Sequence, residues 1–164
     1  MTDFFKSTCQ TKTNAALFGI CDDNNQPEAP AYLNDTDSNT WSAEVRNDQK
    51  IEVTFTAIDN CIPIFRANGE MESRIDGLLT YNSNRLIFVE LKIVRERWIP
   101  DGIEQLENTI ELFSAQNDLS SYKKRRAFLA NKKHPRFKFS HKETMQAFKN
   151  KTGVRLIITA KIKL

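Results

Sequence analysis

The sequence predicts a single α/β domain: a mixed central β-sheet flanked by helices, in the core order αβββαβ with a further helix and strand after it. Three observations carry this. Residues 51–57 alternate apolar and polar side chains, two largely apolar arms face each other across Tyr81-Asn82-Ser83-Asn84-Arg85, and Ile103, Leu106, Ile110 and Phe113 recur at helical spacing. At 164 residues with 40% hydrophobic content the chain can bury one core, and no repeat divides it.

Taken in order, residues 4–17 are read as a short helix, and residues 22–40, rich in Asp, Asn, Pro, Ser and Thr, as a long irregular loop or lid. Residues 41–46 form one helical turn or a short strand. Residues 51–57 make the first core strand, and residues 72–81 and 85–94 the arms of a hairpin. Pro100-Asp101-Gly102 breaks the sheet, with Asp101 as N-cap and Glu104 as its capping-box partner. On the helix that follows, Glu104, Glu107 and Glu111 lie to one side of the apolar stripe and Gln105 and Thr109 to the other. Residues 125–131 are a buried strand, 141–151 a helix packing Met145 and Phe148 and ended by Gly153, and 154–164 a final alternating strand.

The hairpin carries the chemistry. A turn centred on Ser83 pairs residues whose numbers sum to 166, which sets Asp76 opposite Glu90. Like charges directly opposed on a ladder repel, so two carboxylates placed there call for something positive between them, most simply a divalent metal. Glu90 and Lys92 share one strand face, while Leu91 turns to the other and offers its backbone carbonyl. Two carboxylates, a carbonyl and waters suit Mg²⁺, which keeps part of its hydration shell. Lys92 would orient or deprotonate the attacking water, or neutralise charge on phosphorus. Glu-x-Lys also occurs on solvated sheet edges, where it only keeps an edge soluble. Here Leu86-Ile87-Phe88-Val89 precedes the pair and Ile93-Val94 follows it, so the strand is central and its charges need partners or a ligand.

At Asp76 and Glu90-Leu91-Lys92 the chain resembles the PD-(D/E)XK nuclease superfamily, the restriction-endonuclease-like fold, with Ile75 where the family has Pro and a match confined to residues 50–130. The resemblance implies Mg²⁺-dependent, or Mn²⁺-dependent, hydrolysis of phosphodiester bonds, with Asp76, Glu90 and the Leu91 carbonyl as metal ligands and Lys92 as the catalytic lysine. Gln105 matches the glutamine of the family's Q-x-x-x-Y helix motif, although Thr109 replaces the Tyr; a boundary glutamine is the competing reading. Relatives often carry one more acid before the first strand, for which Glu44, Glu28 and Asp48 are not distinguished. Many also work as dimers, so a homodimer is allowed; Leu112 is either a contact for it or an isolated exposed residue.

Charge is unevenly spread. Residues 123–164 hold 14 Lys/Arg against one Asp/Glu, densest at Lys123-Lys124-Arg125-Arg126 and at Lys132-Lys133, with Tyr122, Phe128, Phe137 and Phe139 nearby. Such a face suits a polyanion, so these six basic residues are the candidate nucleic-acid contacts, DNA ahead of RNA; the same run also serves simply to solvate one end of the domain. His134 and His141, the only histidines, suit phosphate contact or exposure rather than metal ligation. No apolar stretch is long enough to span a bilayer, and a cytoplasmic location is expected. Cys9, Cys21 and Cys61 signal neither a disulfide framework nor a thiolate metal site and are expected as small core or boundary residues. The alternative to a nuclease is a noncatalytic module of the same fold that binds nucleic acid or protein. A phosphohydrolase of small nucleotides ranks lower, since no base-recognition pocket is evident.

Overall fold

Among the described residues, two sheets and two helices stack in three layers. The structure, a computed structural model, describes residues 1–23, 25–134 and 141–164. Strands β1 (Gln10–Thr13), β5 (Val53–Ala57), β6 (Gly77–Tyr81), β7 (Arg85–Lys92), β8 (Lys124–Asn131) and β9 (Arg155–Ile158) form a six-stranded sheet in the order β1-β5-β6-β7-β8-β9. It is antiparallel from β1 to β7 and parallel from β7 to β9. Strands β2 (Leu17–Cys21), β3 (Tyr32–Asn34), β4 (Ala43–Arg46) and β10 (Lys161–Lys163) form a second sheet in the order β10-β4-β2-β3. The helices are α1 (Trp98–Ser114) and α2 (Lys142–Thr152).

The mixed α/β class follows the sequence, but the layers do not. On one face of the large sheet Leu78, Leu86, Phe88 and Leu129 share a core with Leu106, Ile110 and Phe113 of α1 and Phe148 of α2. On the opposite face Leu79, Ile87, Val89 and Phe128 pack against Phe18, Ile20, Val45 and Ile162 of the second sheet. Helices therefore flank one side of the central sheet, and a sheet covers the other. Apolar residues on both faces of β7 are what this sandwiching requires, and its interior residues are buried throughout.

Residues 4–17 contain no α-helix. Phe4 and Phe5 instead pack edge-on against Phe113, at ring distances of 5.3 and 5.9 Å, and the chain continues through a 3₁₀ turn at Ser7–Cys9 into β1. Strand β1 is a polar edge strand, so no apolar alternation marks it in the sequence. Residues 22–40 are partly built: β3 pairs with β2, a 3₁₀ turn spans Ser38–Thr40, and the Asn34 side chain accepts the indole N–H of Trp41 at 3.1 Å. Residues 41–46 resolve as the strand β4.

Helix α1 starts at Trp98, before Pro100, with Arg97 as N-cap and no capping side chain on Asp101. Proline is tolerated there because the first turn of a helix leaves its N–H groups unbonded anyway. Gly102 then brings the helix down on the sheet: a Cβ at that position would lie 2.4 Å from Leu129 Cδ1. The expected stripe holds for Leu106, Ile110 and Phe113, while Leu112, read from sequence as outward, is partly buried against the same core.

Strand β8 and helix α2 fall where expected. The expected final strand divides, however: β9 joins the large sheet and β10 the small one, so buried Val154 and Leu156 serve the helical core while Ala160 and Ile162 serve the other. Cys9 and Cys61 form a disulfide, contrary to the sequence reading, and Cys21 alone is free. Two cysteines 52 positions apart carry no spacing signature; only the fold brings them together. Disulfides are rare in the cytosol, so this bond counts against the cytoplasmic expectation. No helix among the described residues is long and apolar enough to cross a membrane.

Candidate active site

The hairpin register is the one the sequence implies: Gly77 pairs with Val89 and Tyr81 with Arg85. The arms are shorter than expected, because β6 begins only at Gly77 while β7 runs to Lys92. Asp76 therefore lies just beyond the end of β6, one step along the same register from Gly77, and Glu90 continues on β7. The Asp76 main chain is still anchored, since its carbonyl accepts the Ile58 N–H at 2.9 Å. One residue earlier, the hydroxyl of Thr109 on α1 accepts the N–H of Ile75 at 3.1 Å.

Both acids are buried, Asp76 at 8% exposure and Glu90 at 2%. Oδ2 of Asp76 accepts the Leu91 N–H at 2.7 Å. An extended residue carries its N–H and C=O on the same strand edge, so the Leu91 carbonyl faces the same edge as Asp76. Lys92 Nζ pairs with Glu90 Oε1 at 3.0 Å and also donates to Gln105 Oε1. Gln105 in turn donates from Nε2 to the Arg74 carbonyl at 3.3 Å. The second Glu90 oxygen, Oε2, is buried with no nitrogen or hydroxyl donor, and the Asp76 and Glu90 carboxyls are close enough to share a proton. All four predicted catalytic residues, Asp76, Glu90, Lys92 and Gln105, thus meet at one place, on the α1 side of the sheet.

Burial first, with the charges of Asp22 and Asp59 adding, pushes the Asp76 carboxyl up to about 7 against the pull of the Leu91 N–H. Burial and then the Asp76 charge raise Glu90 well above the ordinary carboxylate range, with Lys92 acting the other way. Lys92 offsets one of the two charges, and a pair held this way carries the second near neutral pH only with a further cation or gives it up to a proton.

Two neighbours were not legible in the sequence. Asp22 follows the last residue of β2 and is itself raised by burial, then by Asp59 and Asp23. Asp59 pairs with Arg74 at 3.1 Å, and Arg74 is buried, so its guanidinium backs the wall that Gln105 also touches. The only sequence signal for Asp22 is an acid directly after a buried strand. Of the three other acids considered, Glu44 lies on β4 beside Arg46, and Glu28 and Asp48 are exposed.

Fit to a metal rests on the donor set. Among the described residues no group of three or more His, Cys, Asp and Glu side chains could hold a metal ion. Asp76, Glu90 Oε2 and the Leu91 carbonyl are oxygen donors, which suits an ion that keeps several waters.

The basic residues separate. Arg126 is buried, donating to the Lys163 carbonyl at 2.8 Å and to Tyr81 Oη at 3.0 Å, and Arg125 donates to the carbonyls of Gly153 and Tyr122. Lys123 and Lys124 are exposed at the start of β8. Lys132 and Lys133 are exposed at its other end, where the Lys132 N–H bonds the Lys92 carbonyl at 2.9 Å. Only this second pair lies near the acids. His134 stacks on Trp98 with ring centroids 6.3 Å apart. Phe137 and Phe139 lie outside the described residues.

No protein-family model matches the sequence, and no curated protein or solved structure is significantly similar to the chain.

Proposed function

We propose that the protein is a metal-dependent nuclease hydrolysing phosphodiester bonds, on a variant of the restriction-endonuclease-like core in which a second sheet replaces the helices on one side. The observation that carries this reading is the buried Asp76 and Glu90 pair, with no nitrogen or hydroxyl donor on Glu90 Oε2 and Lys92 fixed beside it. Asp76, Glu90 and the Leu91 carbonyl would hold Mg²⁺ or Mn²⁺, which when bound supplies an acidified water and a counter-charge for phosphate oxygens. Lys92 compensates the buried Glu90 charge and presents its one remaining proton to an incoming phosphate or water. Gln105 holds the ammonium group in that position, and Arg74 and Thr109 keep the Asp76 segment from shifting. Lys132 and Lys133 would meet nucleic acid at the site, DNA ahead of RNA.

The test is cleavage of DNA and of RNA with Mg²⁺ and with Mn²⁺ by the wild type and by Glu90→Ala and Lys92→Ala variants. Loss of cleavage in both variants supports the reading, and equal rates in all three proteins reject it. A noncatalytic binding module is the second reading, favoured by the count of only two clustered acids. Calorimetry separates the two, because a catalytic site binds Mn²⁺ and the module has no need to.

A further inference from the structure

A second set of opposed like charges lies at the other end of the same sheet, and the nuclease reading does not account for it. In the β7 and β8 register Arg85 is directly opposite Lys124, and in the β8 and β9 register Arg126 is directly opposite Arg155. Lys124 and Arg126 are two positions apart and share a strand face, so the four cations occupy adjoining positions on one face. Among the described residues none of the four forms an ion pair with a carboxylate. Cations facing one another across a ladder destabilise it, and no carboxylate at ion-pair distance offsets the repulsion. Their mutual field is felt at Lys124, whose ammonium is held below its ordinary range by Arg126 first, then burial, Arg85 and Arg155.

The place is also shaped. A cleft of about 370 Å³ is lined by Tyr81, Asn82, Arg85, Lys124 and Lys163, with Asp48 on its wall. Arg126 lies behind this lining and fixes two of its residues, donating to the Lys163 carbonyl and to Tyr81 Oη, with its Nε buried and unbonded. Arg85 is steadied by donating to Asn84 Oδ1 at 2.6 Å. Arg85 precedes Glu90 by five strand positions, roughly 17 Å, so no single phosphate reaches both.

We propose that this cleft is an anion site for phosphate groups, separate from the Asp76 and Glu90 pair, with Arg85 and Lys124 as the contacting cations over a floor fixed by Arg126. A phosphate bridging Arg85 and Lys124 turns a repulsive cross-strand pair into two charge-assisted hydrogen bonds. The same chemistry is offered by a free diphosphate and by the backbone of a polynucleotide. The inference stands whether or not the acidic pair proves catalytic.

The test uses the full chain in chelator, titrated calorimetrically with inorganic pyrophosphate and, separately, with an oligonucleotide lacking terminal phosphates. The double variant Arg85→Gln/Lys124→Gln should bind about tenfold or more weakly, while the charge-matched control Lys142→Gln/Lys149→Gln on α2, across the sheet, binds as the wild type does. Weakening confined to pyrophosphate identifies a terminal-phosphate site, and weakening with the oligonucleotide identifies a backbone site; either supports the proposal. Undiminished binding by the double variant, or no binding of either probe to the wild type, overturns it. Thermal melting gives an independent reading. In phosphate-free and sulfate-free buffer the double variant should melt higher than the wild type, and a lower Tm would mean that the cations hold the fold together and not a ligand.

Discussion

The Thr109 hydroxyl and the Ile75 amide, 34 positions apart in sequence, join helix α1 to the residue that precedes Asp76. A threonine at this helix position is fully buried, and its hydroxyl has that one backbone N–H to satisfy. Thr109→Val keeps the shape and strands the amide, so it should cost about 1–3 kcal/mol, whereas Thr109→Ser should cost much less. Urea denaturation of both variants measures the difference; equal losses would mean the hydroxyl is irrelevant.

Stability of the metal-free protein should depend on Asp76. Unfolded, this carboxyl titrates near 3.8; folded, burial holds its proton up to about 7. The native state therefore binds more protons between those values, and the contribution is favourable below the window and lost as pH rises through it. Unfolding free energy in chelator should fall by a few kcal/mol from pH 4 to pH 8, and Asp76→Asn should flatten that slope. A wild-type profile that rises over the same range would contradict the burial of this acid.

Metal addition should act in the opposite sense. With Mn²⁺ at roughly a hundredfold its dissociation constant the wild type should gain about 2.7 kcal/mol. Glu90→Gln should lose this gain and melt below the wild type in chelator, since it leaves the largely buried Lys92 ammonium without its carboxylate. Thermal scans of both proteins in chelator and in Mn²⁺ give all four values.

Reduction of the Cys9 and Cys61 bond should destabilise the fold. For a closed loop set by 52 intervening steps, chain entropy gives about 4 kcal/mol at 25 °C. A Cys9→Ser/Cys61→Ser variant and the reduced wild type should share one lowered midpoint, and thiol titration of the native protein should find one cysteine, not three, after unfolding without reductant.

Gly77 sits where a side chain has no room: a Cβ would come within 2.4 Å of the Phe55 ring and 2.8 Å of the Thr56 carbonyl. Gly77→Ala should cost roughly 1–3 kcal/mol by displacing β6 against β5. The displacement acts next to Asp76, so cleavage should fall more than stability alone explains, as assays well below the melting temperature would reveal.

The site was readable in advance wherever the signal was local. The turn around Ser83 fixed which residues oppose one another, and the apolar run before Glu90 marked a covered strand, so Asp76, Glu90 and Lys92 followed from short-range pattern, whereas Gln105 came only from the resemblance to the family's helix motif. Asp22 and Asp59 were not, because each reaches the site through pairing of segments distant in sequence. The same distinction explains the fold. Strands β5, β7 and β8 bury apolar residues in long runs or clean alternation and could be read directly. Strand β1 is polar and gains its conformation from pairing with β5, and nothing local tells that residues 154–164 must bend between two sheets. Tertiary pairing overrode propensity in both places. The basic residues mislead for a related reason: eight strand positions carry Lys124 and Asn131 to opposite margins of the sheet, and a run that looks continuous on paper is divided in space.

The unequal lengths of β6 and β7 have one more effect. Lys92 still has a backbone neighbour in β8, but from Glu90 onward no strand lies on the other side, and the Leu91 amide takes a side-chain oxygen in place of a carbonyl. An interior strand thereby acquires a three-residue stretch of open margin in the middle of the sheet. Asp76, Glu90 and Leu91 at this notch are buried, so a molecule that reaches them must first displace what covers them, and a change that prolonged β6 by a single pairing would remove the gap altogether.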